Sequence, residues 1–425
     1  MSPWLKYWFN IGSFFETIQP NVRVLRWCGL FPFSVSRSPA KTLRSEVKFI
    51  DIVIFTLWQS FFLQMFYAAW PRVFFEIPVS RIMTLITLML YLLGGVNCSV
   101  SGALVLLLRK RFVRMVQLVE EADQVFDRLF GAIQHSKIHL VSVALLLGSF
   151  LVQVLLLVSD GVVGKTLINT TRVPQNNRLQ AAFYYYYVIR TLHITAVTIF
   201  IAGLYGFRER LRALNEQLRV CFLEKRAPEQ LPEVANEMVR RIQGLMEIYS
   251  QLCDAIRIFC TIFVWQPVIF CASLIVSAVF AVLAIGHILS NPVPIVLAIT
   301  IVYTTITVLY ASLFLFLVKL GNDLKKEGKQ TAVLVHKAIN QSSKTPAVVE
   351  RLLLFSRHLQ HQMPVVSCGL FCFDWTLALS VGRGSVIISA LATYSVILIQ
   401  FELGVPRFFI NAMLHMYADG NTKDP

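Results

Sequence analysis

Seven stretches of the chain are apolar over roughly the 20 residues that a helix needs to cross about 30 Å of hydrocarbon. They run from Phe49 to Trp70, Ile82 to Leu108, Ile138 to Val158, Phe183 to Phe207, Ile258 to Leu289, Ile295 to Val318 and Ser385 to Phe401. Lipid offers no partner for a backbone N–H or C=O, so each stretch must be a helix that pairs its own polar groups. The predicted fold class is an all-α membrane protein with seven transmembrane helices. Composition agrees, since 56% of the residues are hydrophobic and only 15% charged, against about a quarter charged in soluble domains.

The basic residues orient the spans. Of 39 Lys and Arg residues, 31 lie in the amino-terminal arm and in the second, fourth and sixth connections. Seven lie on the opposite side, and Arg190 lies inside a span. Lys and Arg beside spans are retained on the cytoplasmic side, which predicts a cytoplasmic amino terminus and, with an odd helix count, an extracellular carboxyl terminus. Lys6, Glu16, Arg23 and Arg26 interrupt the first 48 residues, which therefore read as having no cleavable signal peptide. The net charge of +15 is spread over four segments without interleaved aromatic platforms. It reads as topology and lipid-headgroup charge, with Arg109-Lys110-Arg111 as the best contact for anionic lipid, and not as a nucleic-acid stripe.

Outer connections are short, and the fifth, Ser290 to Pro294, is a turn held by two prolines. An external ligand must therefore bind within the helix bundle or at its mouth. No cysteine lies in an outer connection, which speaks against an extracellular disulfide framework. Asn169-Thr170-Thr171 in the third connection is an acceptor sequence for glycosylation on the side that the charge count places outside. Asn97-Cys98-Ser99 lies within a span, out of reach of that modification.

The cytoplasmic connections are long. Leu211, Leu214 and Leu218 share one helical face, as do Val239, Ile242, Met246 and Tyr249, with Pro228, Pro232 and Pro346 as breaks. The expected organisation is a cytoplasmic arm (1–48), six spans with a cytosolic helical loop (49–318, the loop at 208–257), a cytosolic segment before the last span (319–384), the seventh helix (385–401) and an extracellular tail (402–425). Long helices extend into a cytosolic anchor layer. His358 and His361 are three apart, but no further ligand completes a metal set, so they read as a helix surface. No catalytic constellation or cofactor motif is present, and the chain does not read as an enzyme.

In the last helix Ser385, Ser389, Thr393, Val396 and Gln400 recur at spacings of three or four and line one face. Small and polar residues serve close helix packing in lipid and equally suit a wet passage; periodicity leaves both open. One helix cannot enclose a pore, so a pore would need several copies around an axis. The same residues carry a likeness. Thr393-Tyr394, five residues leaning apolar and Gln400-Phe401 resemble the closing signature of insect gustatory receptors, whose chain length, inverted topology and cysteine-poor outer loops this sequence shares. The resemblance implies a ligand-gated cation channel in the plasma membrane of a sensory neuron, a homotetramer or a heterotetramer with other gustatory receptors. Helix seven would line its pore, with Gln400 and Phe401 at the outer constriction and Val396, Thr393 and Ser389 below. It also implies a small-molecule tastant in the outer half of each subunit. Sugar-sensing members resemble Thr-Tyr-Glu at the signature, where this chain has Ser395, which points to a bitter or other non-sugar ligand. The tail after Phe401 is longer than the family's usual ending.

Ligand-site candidates are the polar and aromatic residues near the outer ends of spans two to six: Tyr91, Gln153, Tyr184, Tyr187, Arg190, His287 and Tyr303. A charge inside a span is costly unless paired or wet. Arg190 is thus either part of a pocket or a side chain snorkelling to the headgroups, and the tyrosines suit an interfacial belt as well as a cavity. A G-protein-coupled receptor would need the opposite topology. A transporter commonly carries acids within its spans, where this chain has only Asp51 at the edge of the first. An odorant receptor shares the fold, and only the closing signature separates it from the gustatory reading.

Overall fold

The computed structural model describes residues 11–37, 43–69, 81–171, 177–224, 232–290, 294–342, 345–367 and 372–374. In chain order these form α1 (Phe14–Trp27), β1 (Ser34–Arg37), β2 (Leu43–Glu46), α2 (Phe49–Ala69), α3 (Arg81–Leu107), α4 (Arg109–Phe130) and α5 (His135–Thr171). Then come α6 (Asn177–Arg219), ending in a π-helical turn at Val220–Glu224, α7 (Pro232–Phe263), α8 (Trp265–Ser290), α9 (Pro294–Gln341) and α10 (Pro346–His361).

Among the described residues five helices are long and apolar enough to cross a membrane, α3, α5, α6, α8 and α9, and α2 carries a shorter apolar run over Phe49–Gln64. The chain is an all-α membrane protein with one small antiparallel hairpin, β1 on β2. Apolar side chains turned outward, such as Leu147, Leu151, Leu155 and Val158 on α5, need lipid as their solvent. By contrast, 78% of the spanning window of α6 is buried within the protein, so α6 is the helix around which the others pack.

The fifth apolar stretch is not one helix. Pro267 has no N–H to offer the Phe263 carbonyl, and its ring crowds that carbonyl, so α7 ends and α8 begins on either side of Val264. The membrane-crossing part starts at Trp265, and Ile258–Phe263 belong to the helix below it. Asn169 likewise falls on the helical end of α5 rather than in a loop.

Below the spans lies a second packed layer. Leu211, Leu214 and Leu218 at the inner end of α6 are buried, as are Ile242 and Tyr249 on α7. Pro232 opens α7 and Pro346 opens α10, first-turn positions where a missing N–H costs nothing; Pro228 lies outside the described residues. The inner ends of α6 and α9 are joined by buried polar contacts. The Thr331 hydroxyl donates to Asn215 Oδ1 at 2.7 Å, and Asn215 Nδ2 donates to Glu327 Oε2 at 2.8 Å. Thr331→Val keeps the shape and removes the donor, leaving the Asn215 oxygen buried and unmet. It is expected to cost about 1–3 kcal/mol, read as a lower thermal midpoint of the solubilised protein; an unchanged midpoint refutes the join.

The arm and the second connection are more structured than the sequence reading allowed. α4 buries Phe112, Val116, Val119, Val125 and Phe126, a helical spacing broken by charges. α1 is capped by Ser13, whose Oγ accepts the Glu16 N–H at 3.4 Å, and it buries Phe14, Phe15 and Leu25. Arg37 on the hairpin meets Glu120 of α4 at 2.7 Å. Residues 1–48, read as a plain arm, thus hold a helix and a hairpin docked on the cytosolic layer.

Candidate functional site

A buried polar seam runs between the spans, and α6 carries its centre. Arg190 is only 2% exposed. Its Nε donates to Gln153 Oε1 on α5 at 3.2 Å, and its guanidinium lies 4.6 Å from the centroid of the Tyr187 ring, less than one turn away. The side chain is turned into the bundle rather than out toward the headgroups. Cation–π contact and one amide bond offset part of the cost of burying the charge.

One turn further along α6 stands His193, 1% exposed. Its Nδ1 is 2.7 Å from Asn97 Nδ2 on α3, and the Ser101 hydroxyl donates to Asn97 Oδ1 at 3.3 Å. The imidazole packs against Phe270 of α8 and Tyr310 of α9, at ring-centroid separations of 5.5 and 6.2 Å. Between these helices is a small cavity, about 10 Å³, lined by Leu90, Gly94, Ile189, Arg190, His193, Ser273 and Tyr310, room for about one water molecule. Gly94 lets α3 approach α6, because a Cβ there would overlap Ile189.

The expected ligand-site residues therefore divide. Arg190, Gln153 and Tyr187 are brought together. Tyr91 is buried in the core formed by the same helices. Tyr303 belongs elsewhere: its ring lies 4.0 Å from that of Phe280, against a smaller cluster with Ile86, Leu283 and Ala284. The side chains of Tyr184, His287 and Asn169 lie outside the described residues, as do Ser389, Thr393, Tyr394, Val396, Gln400 and Phe401 of the last span. Sequence reading missed His193, Ser273, Tyr310 and the partnership of Asn97. The available signal was Asn97 and His193, two amide or imidazole side chains deep in apolar stretches.

The model of the 7tm chemosensory receptor family matches residues 18–404. The chain belongs to that family. The receptor's match extends over the last span and ends three residues beyond Phe401. No curated protein matches the receptor. Among solved structures it is similar to the insect olfactory receptor OR5 from Machilis hrabei, with a TM-score of 0.59 at 11% identity, covering 90% of this chain and 97% of that one. The structure of OR5 in complex with eugenol gives a TM-score of 0.53 at 12% identity with the same coverage. At that identity the likeness is one of fold. The receptor is a multi-pass membrane protein of a chemosensory family and not an enzyme.

Proposed function

We propose that the receptor is one subunit of a tetrameric ligand-gated cation channel of the gustatory type, in the plasma membrane of a sensory neuron. Its amino terminus is cytoplasmic, and its seventh helix faces a central pore. The observation that carries the reading is the closing signature Thr393-Tyr394 to Gln400-Phe401 in a chain of this family. Ser389, Thr393, Val396 and Gln400 form the stripe toward the axis. An apolar ring at Phe401 blocks ions by dewetting, and the adjacent amide takes them when the ring moves aside. The segment 208–257 and the segment 319–384 form the cytosolic anchor, and membrane lipids contact the outward apolar faces.

The ligand is a small, non-sugar molecule held in the seam around Arg190, Gln153 and Tyr187, with Tyr91 in the same core. Two things support this: a buried charge among spans is a functional group by default, and the similar receptor OR5 has been solved with eugenol bound. Tyr184, His287 and Tyr303 are the further candidates at the mouth, and Asn169 is the proposed glycosylation site.

The test is current recorded from cells expressing the receptor alone and with other gustatory receptors, during application of bitter compounds, sugars and odorants. Bitter compounds are expected to evoke cation current, and Phe401→Ala to raise the ligand-free leak by an order of magnitude or more. If Phe401→Ala and Gln400→Ala both left conductance and ion selectivity unchanged, the pore assignment would fail. A response confined to volatile odorants would make this an olfactory receptor instead.

A further inference from the structure

We propose that the end of α1 and the start of α2 form a site for an anionic phospholipid, with Arg23, Arg26 and Lys48 around its phosphate and Trp27 and Ile52 against its acyl chains. The inference needs neither the pore nor the ligand reading, and a cytoplasmic amino terminus places the site in the inner leaflet.

The depth of the end of α1 follows from what it touches. α1 climbs beside the start of α5: His139 Nδ1 is 3.1 Å from the Thr17 carbonyl oxygen, and Asn21 Nδ2 donates to Ser142 Oγ at 2.5 Å. Trp58 Nε1 donates to the Trp27 carbonyl at 2.9 Å, and Trp58 lies about 13 Å into α2 from Phe49 on the rise of a helix. A Cβ on Gly102 would meet the Gly29 carbonyl oxygen at 2.9 Å, more than one turn inside the apolar end of α3 at Leu107. The chain then returns, and the Phe31 ring packs 4.9 Å from that of Phe112 at the start of α4. The turn after α1 therefore sits on the hydrocarbon side of the ends of α2 and α3.

Its backbone suits that medium, where an unpaired N–H has no water to turn to. The N–H groups of Cys28, Gly29, Leu30, Phe31 and Phe33 all meet backbone carbonyls of the same segment, and Pro32 has none to place. Leu30, Phe31 and Phe33 are buried, yet Trp27 is 69% exposed. An indole exposed at this depth faces lipid.

The cations lie one step nearer the cytosol. Arg26 Nε pairs with Asp51 Oδ1, and the other Asp51 oxygen accepts the Lys48 backbone N–H at 3.1 Å. Asp51 is fully buried, so its charge is spent within the protein, while the Arg26 side chain commits only Nε and is 30% exposed. Lys48 is exposed and makes no ion pair among the described residues. Arg23 stands one turn before Trp27 on the same exposed face of α1, and Lys48 one turn before Ile52, on the flank of the α2 face that carries Asp51 and Trp58. Each exposed cation is thus followed, one turn deeper, by an exposed apolar side chain. A free anion in solution meets the cations and leaves Trp27 and Ile52 bare. A zwitterionic lipid covers them but brings an ammonium group that opposes the cations. An anionic phospholipid satisfies both levels.

The experiment places the purified receptor in phosphatidylcholine nanodiscs containing a minor share of lipid with brominated acyl chains, either phosphatidylglycerol or phosphatidylcholine. Bromine quenches an indole that it touches, and the difference between the wild type and Trp27→Phe isolates the emission of Trp27. Quenching of Trp27 is expected to be about 5-fold or more stronger with brominated phosphatidylglycerol, the order of attraction that one basic residue exerts at a membrane surface. Arg23→Gln combined with Lys48→Gln is expected to bring the two lipids level. Lys110→Gln combined with Arg111→Gln, in the basic run at the base of α3, is expected to keep the preference. Nanodiscs carry the same lipids on both faces, so the result is independent of the chain's orientation.

Equal quenching by the two lipids in the wild type would overturn the anionic site and leave the end of α1 in the leaflet. No quenching by either would overturn its depth as well. A preference that survives Arg23→Gln with Lys48→Gln, or that is lost equally in Lys110→Gln with Arg111→Gln, would belong to the general basic field of this face and overturn the site.

Discussion

Asp123→Ala is expected to cost the folded receptor about 3–5 kcal/mol, the largest stability loss of any substitution considered in the cytosolic layer. Arg210 at the inner end of α6 is 2% exposed. Its Nε and Nη2 reach the two carboxylate oxygens of Asp123 on α4 at 2.9 and 2.8 Å, a bidentate pair. A third donor, Nη1, meets the Gly206 carbonyl at 3.1 Å, and the Phe14 ring of α1 lies 4.6 Å from the guanidinium carbon. Removing the carboxylate leaves a buried cation with one neutral carbonyl and a ring face in place of its counter-charge. Desolvating such a group without its partner costs more than the pair itself contributes, so the single variant is far worse than the loss of both.

Asp123→Leu combined with Arg210→Met is accordingly expected to recover most of the deficit, and the thermal midpoints of the wild type, both single variants and the double variant measure it. If the double variant were as damaged as the two single variants added together, the desolvation argument would be wrong. Four elements meet at this pair, so the expected loss is also a loss of the arm: α1 rests on Arg210 of α6 through Phe14, and His135 Nε2 at the start of α5 is 4.0 Å from Asp123 of α4.

The second large effect is expected at Gly321. A Cβ there would overlap the Phe373 carbonyl oxygen, and seven residues on, a Cβ at Gly328 would meet Pro364 Cγ at 2.5 Å. Seven residues are nearly two turns, so both glycines face the same way and form a smooth strip of α9 on which the chain after α10 lies flat. That chain is held by the Lys325–Asp374 ion pair at 2.6 Å, by the Tyr249 hydroxyl donating to the Gln362 carbonyl at 2.9 Å, and by the buried Phe373 side chain. Gly to Ala within a helix is ordinarily favourable by about 0.5–1 kcal/mol. At Gly321 the obstacle is backbone, which cannot rotate away, and overpacking of that kind costs about 1–3 kcal/mol or more.

Gly321→Ala is therefore expected to lower the midpoint and to weaken evoked current at unchanged surface expression, since the displaced segment leads into the last span. Gly148→Ala on α5, where a Cβ meets nothing within 4 Å, is the control and is expected to be neutral or slightly stabilising. Equal stability of the two variants would refute the strip.

What could be read from the sequence follows from what lipid demands. A span must be apolar over its whole length whatever it packs against, so α2, α3, α5, α6, α8 and α9 lie where apolar runs do. The break at Val264 needed attention to one residue, Pro267, inside a run whose hydropathy never falters. α1 and α4 are amphipathic, α1 packing on α4 and α5 and α4 on α7, and their apolar residues are interrupted along the sequence by Glu16, Arg23, Arg114 and Glu121 on the other face. Such helices are recognised by partners distant in sequence, which a run of letters does not name. In the site, Arg190 and Gln153 stood out as polar residues in spans. That they meet is set by the rotation of α5 against α6, which periodicity does not fix. Asn97 reads in the sequence only as a sequon lost within a span, and His193 carries no mark, because a single neutral polar residue in a packed helix has no signature apart from its partner.

α9 runs unbroken from Pro294 to Gln341, 48 residues, which at 1.5 Å per residue is a rod about 72 Å long. Tyr310 on it faces the cavity, and Gly321, Lys325, Glu327 and Thr331 follow on its inner half. A rod has no joint in which to lose a displacement. If it tilts by about 5° around its midpoint, each end moves about 3 Å in opposite senses, on the geometry of a straight helix of that length. A push on Tyr310 that tilted the rod would reach the glycine strip with the sign reversed, so the continuity of α9 alone couples its outer half to the chain laid against Gly321 and Gly328.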